Sequence, residues 1–211
     1  MLSLFKSKPK LAELIPSGYV DIHSHVLPGI DDGAQKMEDT NFLLETMIDF
    51  GFTKVITTPH TMKNVWDNTT ETIKNAHHLV QDELPELSKK VALNCASEYF
   101  LDENLMQLVQ RENLLTLKDN FILIEMSYLN APIQLYDFLF ELQLKGYQLV
   151  LAHPERYNYI HTNKKEFAKL KKAGCLFQLN LLATVGYYGK NVAEIADYLL
   201  KENLYDFVGS D

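Results

Sequence analysis

The stretch YVDIHSH, residues 19–25, is an apolar run that ends in two histidines, and its pattern recurs along the chain. The run predicts a β-strand, in which alternate residues point to the same face. His23 and His25 flank Ser24, so both imidazoles face one side and can hold one metal ion together. A pair of this spacing also arises by chance in a chain with seven histidines. The pair alone therefore indicates a metal site without establishing one.

Other apolar runs typical of strands also end in a histidine or a carboxylate. The residues at these ends are His60 after VITTP, Glu98 after VALNCAS, Glu125 after FILI, His153 after QLVLA and Asp211 after YDFVGS. The carboxyl ends of strands that close into a barrel meet at one rim, so these distant side chains are expected to converge. With the first two histidines they make seven ligands for divalent cations, more than one ion needs. The pattern predicts a multinuclear metalloenzyme.

Each of these histidines, taken singly, is equally consistent with a hydrogen-bonded core residue. Agreement across six strands argues against that interpretation for the whole set. Glu98 and Glu125 strengthen the argument, because a lone carboxylate in such a place is costly unless it is paired or bound to metal. The carboxylates therefore favour a metal site.

The segment Gly29–Gly33, with Asp31 and Asp32 near its centre, comes shortly after the histidine strand. Asp and Gly are the usual residues of turns, so a surface turn is one interpretation. Its position on the same rim as His23 and His25 favours a role in the site instead.

Strand and helix patterns alternate along the chain, which predicts an α/β fold with a parallel sheet. Runs rich in Val, Ile, Leu and Phe, as expected for strands covered on both faces, lie at 19–23, 53–58, 91–97, 121–125, 148–152, 176–180 and 206–209. Helical patterns lie at 37–50, after a cap at Asn68 or Thr69, and at 102–112, 133–145, 163–173 and 190–202. Seven strands are one fewer than in the eightfold barrel. The chain is interpreted as one domain over residues 19–211, with 1–18 as an N-terminal extension packed outside it.

Composition and charge exclude several classes of protein. The net charge of −8 argues against a nucleic-acid-binding surface, and 46% hydrophobic with 23% charged residues is ordinary for a globular protein. No apolar run approaches roughly 18 uninterrupted residues, so no membrane-embedded segment is expected, and the N-terminus is not a convincing signal peptide. Cys95 and Cys175 have no CxxC partner and are expected to be small buried hydrophobes. A reduced, cytoplasmic protein fits these features, and the oligomeric state stays open.

Taken together, the motifs HSHxLPGIDDG, TPH, SEY, ILIE, AHPERY and GSD resemble those of the PHP (polymerase and histidinol phosphatase) superfamily. Within it they resemble the bacterial protein-tyrosine phosphatases linked to capsule and exopolysaccharide synthesis, the CpsB/YwqE-like enzymes. The resemblance covers nearly all of residues 19–211. It implies a distorted (β/α)7 TIM-like barrel, which agrees with the independent count of strands. It also implies three divalent metal ions, with manganese expected and iron or zinc as alternatives.

The resemblance further implies how the ligands divide among the ions. One ion would take His23, His25, Glu98 and Asp211. Glu98 would bridge to a second ion, which is completed by Glu125 and His153. The third would take Asp32 and His60. Asp31 is the alternative to Asp32 as a ligand, because the match to the family motif is uncertain by one residue. The final motif of the family is GSDxH, whereas this chain stops at Asp211, so a missing segment with the last histidine is expected after it.

Arg156 in the motif His153-Pro154-Glu155-Arg156 is the candidate for a phosphate clamp. A guanidinium can grip two phosphoryl oxygens in a fork and stabilise the charge that builds up in the transition state. The alternative is an exposed arginine paired with Glu155. Whichever of Asp31 and Asp32 is not a ligand could manage protons for the leaving phenolate.

By this resemblance the chain is a metal-dependent phosphatase that hydrolyses phosphotyrosine. The expected substrate is the tyrosine-rich tail of a bacterial tyrosine autokinase that controls polysaccharide synthesis and export. Two alternatives remain open at this point. One is another phosphoesterase of the same fold, such as a histidinol-phosphate phosphatase. The other is a non-catalytic metal-binding regulatory domain.

Overall fold

The computed structural model of the chain describes residues 15, 16 and 18–211. The extension predicted for residues 1–18 therefore lies almost wholly outside the described residues. The domain predicted for residues 19–211 begins with the strand β1 at Val20–Asp21.

Every strand pairing in the described part of the chain is parallel. The strands are β1 Val20–Asp21, β2 Lys54–Thr57, β3 His60–Thr61, β4 Asn94–Cys95, β5 Glu98–Phe100, β6 Phe121–Glu125, β7 Gln148–Ala152, β8 Leu176–Asn180 and β9 Phe207–Gly209. They form a three-stranded sheet of order β1-β2-β4 and a six-stranded sheet of order β3-β5-β6-β7-β8-β9. The predicted α/β fold with parallel strands is confirmed.

Two predicted strands are each followed closely by a short strand that was not predicted, so that the chain passes from one sheet to the other. The run predicted at 53–58 forms β2, and β3 begins after Pro59, which has no N–H to continue a ladder. The run predicted at 91–97 forms β4, and β5 begins at Glu98. Because His60 and Glu98 are the paired first residues of β3 and β5, this arrangement places the two side chains next to each other.

The helices alternate with the strands as predicted. They are α1 Met37–Asp49, α2 Thr70–Glu83, α3 Pro85–Lys90, α4 Glu103–Leu108, α5 Leu135–Leu144, α6 Lys165–Lys172 and α7 Lys190–Lys201. Two details differ from the prediction: α4 ends at Leu108 instead of continuing to residue 112, and α3 was not predicted. The sequence of α3, PELSKK, is short and mostly polar, so it has no apolar periodicity to reveal it. No helix of residues 15–16 and 18–211 is long and apolar enough to cross a membrane.

The ends of the first two helices follow from local sequence. Gly51, at φ +88°, ends α1 in the left-handed conformation that glycine adopts without steric cost. Thr69 caps α2, as predicted, since its side-chain oxygen accepts a hydrogen bond from the Thr72 N–H at 3.2 Å.

Apolar side chains cover both faces of the central strands. Leu123, Val150 and Ala152 form one buried cluster with partly buried neighbours from β8 and β9. Their neighbours along β6 and β7 point the other way, into the main core under the helices: Ile122, Ile124, Leu149 and Leu151. Burial on both faces explains why these strands show no polar alternation. Within the described residues no ladder joins β9 back to β1, so closure of the sheets into a barrel stays a prediction.

Candidate metal centre

The predicted ligands gather in one cluster, most of them at or after the carboxyl end of a strand, with His60 and Glu98 as the first residues of β3 and β5. Their positions follow the strand order along the rim: His23 and His25 after β1, His60 at the start of β3, Glu98 at the start of β5, Glu125 at the end of β6, His153 after β7 and Asp211 after β9. The two histidines of the first strand bring their Nε2 atoms to 3.2 Å of each other. Asp211 Oδ1 lies 3.6 Å from His23 Nε2 and 3.4 Å from His25 Nε2.

Glu98 is at the centre of the cluster and is fully buried. Its Oε2 lies 3.2 Å from His23 Nε2 and 3.2 Å from His60 Nδ1. Its Oε1 lies 3.2 Å from His153 Nε2. One carboxylate therefore faces imidazoles from three strands, which is the arrangement expected of a residue that bridges two cations.

Four buried side-chain polar atoms of the described residues have no hydrogen-bond partner, and all lie in or beside this cluster: Ser24 Oγ, His60 Nδ1, Glu98 Oε1 and His153 Nδ1. His60 Nδ1 is only 2.9 Å from Glu125 Oε1, yet the two atoms are not aligned for a hydrogen bond. Ligand atoms around one ion at 2.0–2.1 Å stand about 2.8–3.4 Å apart. The separations of 2.9–3.6 Å in this cluster are close to that range, so the cluster can accommodate cations.

Four groups of side chains can each offer three ligand atoms to one ion. They are His23–Glu98–His153, His23–His25–Asp211, His25–His60–Glu98 and His25–Asp31–Asp32. Glu98 belongs to two of them, as a bridging ligand would. Glu125 lies outside these four groups, and its Oε1 is 2.9 Å from His60 Nδ1. The division of ligands that the resemblance implied stays a prediction.

The two adjacent aspartates have different surroundings. Asp31 is buried, and its Oδ2 is 2.7 Å from His25 Nδ1. Its Oδ1 accepts a hydrogen bond from the Gly33 N–H at 2.9 Å. The Asp32 side chain is 65% exposed and lies 3.5 Å from His60 Nε2. Asp31 thus orients His25 with Nε2 toward the cluster, while Asp32 is free to meet an ion beside His60.

Gln178 supports the cluster from the middle of β8, and the sequence analysis missed it. Its Oε1 is 2.8 Å from His23 Nδ1 and accepts a hydrogen bond from the His153 N–H at 3.3 Å. The amide oxygen fixes the proton of His23 on Nδ1 and leaves Nε2 for the cluster. A buried amide in the apolar run LFQLN was a detectable signal, because such a group is costly without partners.

His153 has a left-handed backbone, with φ +32° and ψ +57°. This conformation costs about 1–3 kcal/mol in a residue other than glycine and is found mostly at functional sites. It turns the chain sharply between β7 and the 3₁₀ turn at Pro154–Arg156.

Charge coupling dominates the protonation of the cluster. Burial alone lowers the pKa of His23, but the charges of Glu98 and Asp211 outweigh it and raise the pKa to about 9. Burial alone raises the pKa of Glu98, but the nearby histidines hold it well below its usual value. In the metal-free chain the histidines thus offset the carboxylates, and a binding cation would displace protons.

Arg156 lies beside the cluster and not against Glu155. Its Nη1 donates to Asp211 Oδ2 at 3.0 Å. Glu155 is fully buried and accepts hydrogen bonds from the Asn180 N–H at 2.8 Å and the Tyr205 hydroxyl at 2.9 Å. The alternative of an exposed arginine paired with its neighbour is therefore wrong.

The cluster opens into a cleft of about 650 Å³. Its polar lining includes His25, Asp32, His60, His153, Arg156 and Asp211, and its aromatic lining consists of Phe42, Tyr128, Tyr187 and Tyr188. A cleft that combines metal-ligating groups, a guanidinium and aromatic walls can bind an anionic ester of an aromatic alcohol.

The fold and the site define a parallel α/β protein with a candidate multinuclear metal centre, and comparisons with known proteins agree. One solved structure matches this chain with a TM-score of 0.84 and 30% sequence identity. The match covers 92% of this chain and 78% of the chain in that structure. That structure comes from work on YwqE from Bacillus subtilis and CpsB from Streptococcus pneumoniae, described as metal-dependent tyrosine phosphatases.

Curated relatives have the same names. The tyrosine-protein phosphatase YwqE of Bacillus subtilis (strain 168) is 30% identical over 193 residues, which are 91% of this chain and 76% of that protein. The tyrosine-protein phosphatase CpsB of Streptococcus pneumoniae is 26% identical over 198 residues, 91% of this chain and 82% of that protein. The family model for capsular polysaccharide synthesis, CpsB/CapC, matches residues 19–211. This chain belongs to the CpsB/CapC family.

Proposed function

We propose that this chain is a metal-dependent phosphatase that hydrolyses phosphotyrosine in proteins. The observation that carries the proposal is the position of Arg156, within the same cleft as the buried cluster of histidines and carboxylates. The names of the relatives, all tyrosine-protein phosphatases, support the substrate class.

Three divalent ions, with manganese expected, would be held by the clustered side chains. The first would take His23, His25, Glu98 and Asp211, the second Glu98, Glu125 and His153, and the third Asp32 and His60. When bound, such cations supply Lewis-acid activation of the phosphoryl group and of the attacking water. The contact between Glu125 and His60 also supports an arrangement in which Glu125 is a ligand of the ion at His60.

The chain's own residues orient the substrate. The Arg156 guanidinium grips two phosphoryl oxygens and stabilises charge in the transition state. Asp31 keeps His25 in one tautomer, because its Oδ2 lies 2.7 Å from His25 Nδ1. With Asp32 as a ligand of the third ion, Asp31 would be the residue that manages a proton for the leaving phenolate. Phe42 and Tyr187, 66% and 73% exposed at the mouth of the cleft, are the walls for the phenyl ring.

The cellular substrate is proposed to be the tyrosine-rich tail of a bacterial tyrosine autokinase that controls polysaccharide synthesis and export. The capsule-synthesis description of the family supports this context. A cytoplasmic location is proposed as well, because Cys95 and Cys175 are free thiols, which that compartment keeps reduced.

The two sheets are proposed to wrap into a distorted (β/α)7 barrel. Contacts across the gap between the first and last strands support closure. The Asp211 N–H donates to His23 O at 2.7 Å, and the Tyr19 hydroxyl donates to Val208 O at 3.1 Å.

A substrate panel tests the proposed function. Metal-loaded protein should hydrolyse a phosphotyrosine peptide with a higher kcat/KM than a phosphoserine peptide or histidinol phosphate, and chelation should abolish turnover until Mn²⁺ is restored. Faster hydrolysis of histidinol phosphate would favour the related phosphoesterase. Absence of turnover on all three substrates, with metal content verified, would favour the regulatory metal-binding domain.

A further inference from the structure

Two tyrosine rings pack against the Arg156 guanidinium. Its Cζ lies 4.5 Å from the centroid of the Tyr128 ring and 4.2 Å from the centroid of the Tyr188 ring. Contacts of this kind are cation–π interactions, in which the face of the ring attracts the positive charge. The three residues come from loops after different strands, so only the folded chain assembles the stack.

The two rings are held in place by other residues. The Tyr188 hydroxyl accepts a hydrogen bond from Asn180 Nδ2 at 3.0 Å. The Tyr128 ring packs 5.7 Å from the ring of His153 and is stacked 6.2 Å from that of Tyr157, which is fully buried. Each tyrosine is thus fixed to the rim before any ligand arrives.

The guanidinium keeps most of its donors available to an anion. Of its five N–H donors, one on Nη1 is bonded to Asp211 Oδ2. The remaining N–H groups lie in the plane of the guanidinium, which is the direction of the two-point fork. A free arginine would have to lose its rotamer freedom on binding, whereas this one is already oriented.

We infer that Tyr128 and Tyr188 are positioning residues that hold the Arg156 guanidinium in place for the phosphoryl group through their cation–π contacts. The inference rests on the proposed function for the role of that group. It requires that the tyrosines act through Arg156 and through their rings, not through their hydroxyl groups or general packing.

The test is a double-mutant cycle on the affinity for inorganic phosphate, measured by calorimetry on Mn²⁺-loaded protein. Tyr188→Leu should weaken phosphate binding by roughly three- to thirty-fold, the range of cation–π interactions. Tyr188→Phe, which keeps the ring and loses only the hydrogen bond with Asn180, should weaken binding much less than Tyr188→Leu does. In an Arg156→Ala background, Tyr188→Leu should have no further effect. Tyr128→Leu and Tyr128→Phe should repeat the pattern, with metal content checked in every variant.

Two results would overturn the inference. One is an equal loss of phosphate affinity in the Leu and Phe variants, and the other is a full loss of affinity on Tyr188→Leu in the Arg156→Ala background.

A second readout does not depend on binding. Ring currents from the stack should displace the NMR signals of the Arg156 side chain, and Tyr188→Leu should return them toward the values of an exposed arginine. Unchanged signals would also refute the stack. If the phosphate cycle holds while no phosphotyrosine peptide is hydrolysed, the proposed function fails and the positioning role stands.

Discussion

Glu98 and Arg156 are the two residues whose proposed roles can be tested most directly by substitution. Glu98 is a buried carboxylate that faces three imidazoles, so its charge has to be matched by protons or by cations. Arg156 is held at one edge by Asp211 and leaves its other donors available. In the proposed function Glu98 would hold metal and Arg156 would bind the charge of the substrate, so variants of the two residues should separate these roles.

Glu98→Gln should lower the metal content by more than one equivalent. The amide has nearly the same shape but no charge to offset neighbouring cations, and Glu98 belongs to two of the possible ligand groups. Elemental analysis of purified protein measures the change, with wild type as the reference. Unchanged stoichiometry together with normal turnover would remove Glu98 from the site.

Arg156→Ala should leave folding and metal content intact and cut turnover of a phosphotyrosine peptide by about 10²–10³-fold, the usual cost of one preorganised charge contact. Arg156→Lys should rescue little, since an ammonium cannot reproduce a planar two-point grip. The measurement is kcat/KM with elemental analysis in parallel. If Arg156→Ala leaves kcat/KM unchanged, another residue binds the phosphoryl group.

At the scale of elements, the turn at Gly29–Gly33 shows how a loop holds the site. It folds back on β1, since the Ala34 N–H donates to His25 O at 3.0 Å. A Cβ atom at Gly33 would lie 2.1 Å from His25 O and 2.3 Å from His25 Cβ. Only glycine permits this close approach, which also brings Asp31 to the ring of His25.

Gly33→Ala should therefore displace His25, lower the metal content and cost about 1–3 kcal/mol of unfolding free energy, as overpacking does. Gly51→Ala is the matched control, because it is strained at φ +88° but has no neighbour within 4 Å. It should cost about 1–2 kcal/mol and leave metal binding unchanged. Denaturation and elemental analysis of both variants measure the outcome. Equal metal content in the two would show that the turn does not position His25.

At the scale of the whole molecule, the candidate ligands tie distant parts of the chain together, from His23 to Asp211. A cation that binds them should stabilise the folded domain as one unit, because the unfolded chain does not present the assembled site. The alternation of parallel strands and helices makes this coupling possible, since it returns every strand end to the same rim.

Saturation with Mn²⁺ at about a hundred times Kd should add roughly 2.7 kcal/mol of stability and raise Tm by about 5–10 °C. Differential scanning calorimetry of chelated and Mn²⁺-loaded protein measures the shift. Glu98→Gln is the control and should show a smaller rise. A Tm that is insensitive to Mn²⁺, or a full rise in the variant, would contradict a site that joins the strands.

The sequence by itself determined the α/β alternation, most helix limits and the candidate ligands. These features depend on local pattern: a run such as FILIE or QLVLA shows a buried strand, and its polar last residue is conspicuous. The family resemblance was confirmed by the comparisons. The short strands β3 and β5 were missed, because each is only two or three residues long and begins with a polar residue, His60 or Glu98.

The tertiary structure alone decided which side chains meet. It placed Asp31 on His25 and Asp32 beside His60, two contacts that the sequence did not specify. It also brought Gln178 to His23, 155 positions away, and stacked two tyrosines on Arg156. The physical reason is that hydrophobic periodicity specifies which face of a strand is buried, whereas the partner of a polar side chain depends on how separate strands and loops pack together.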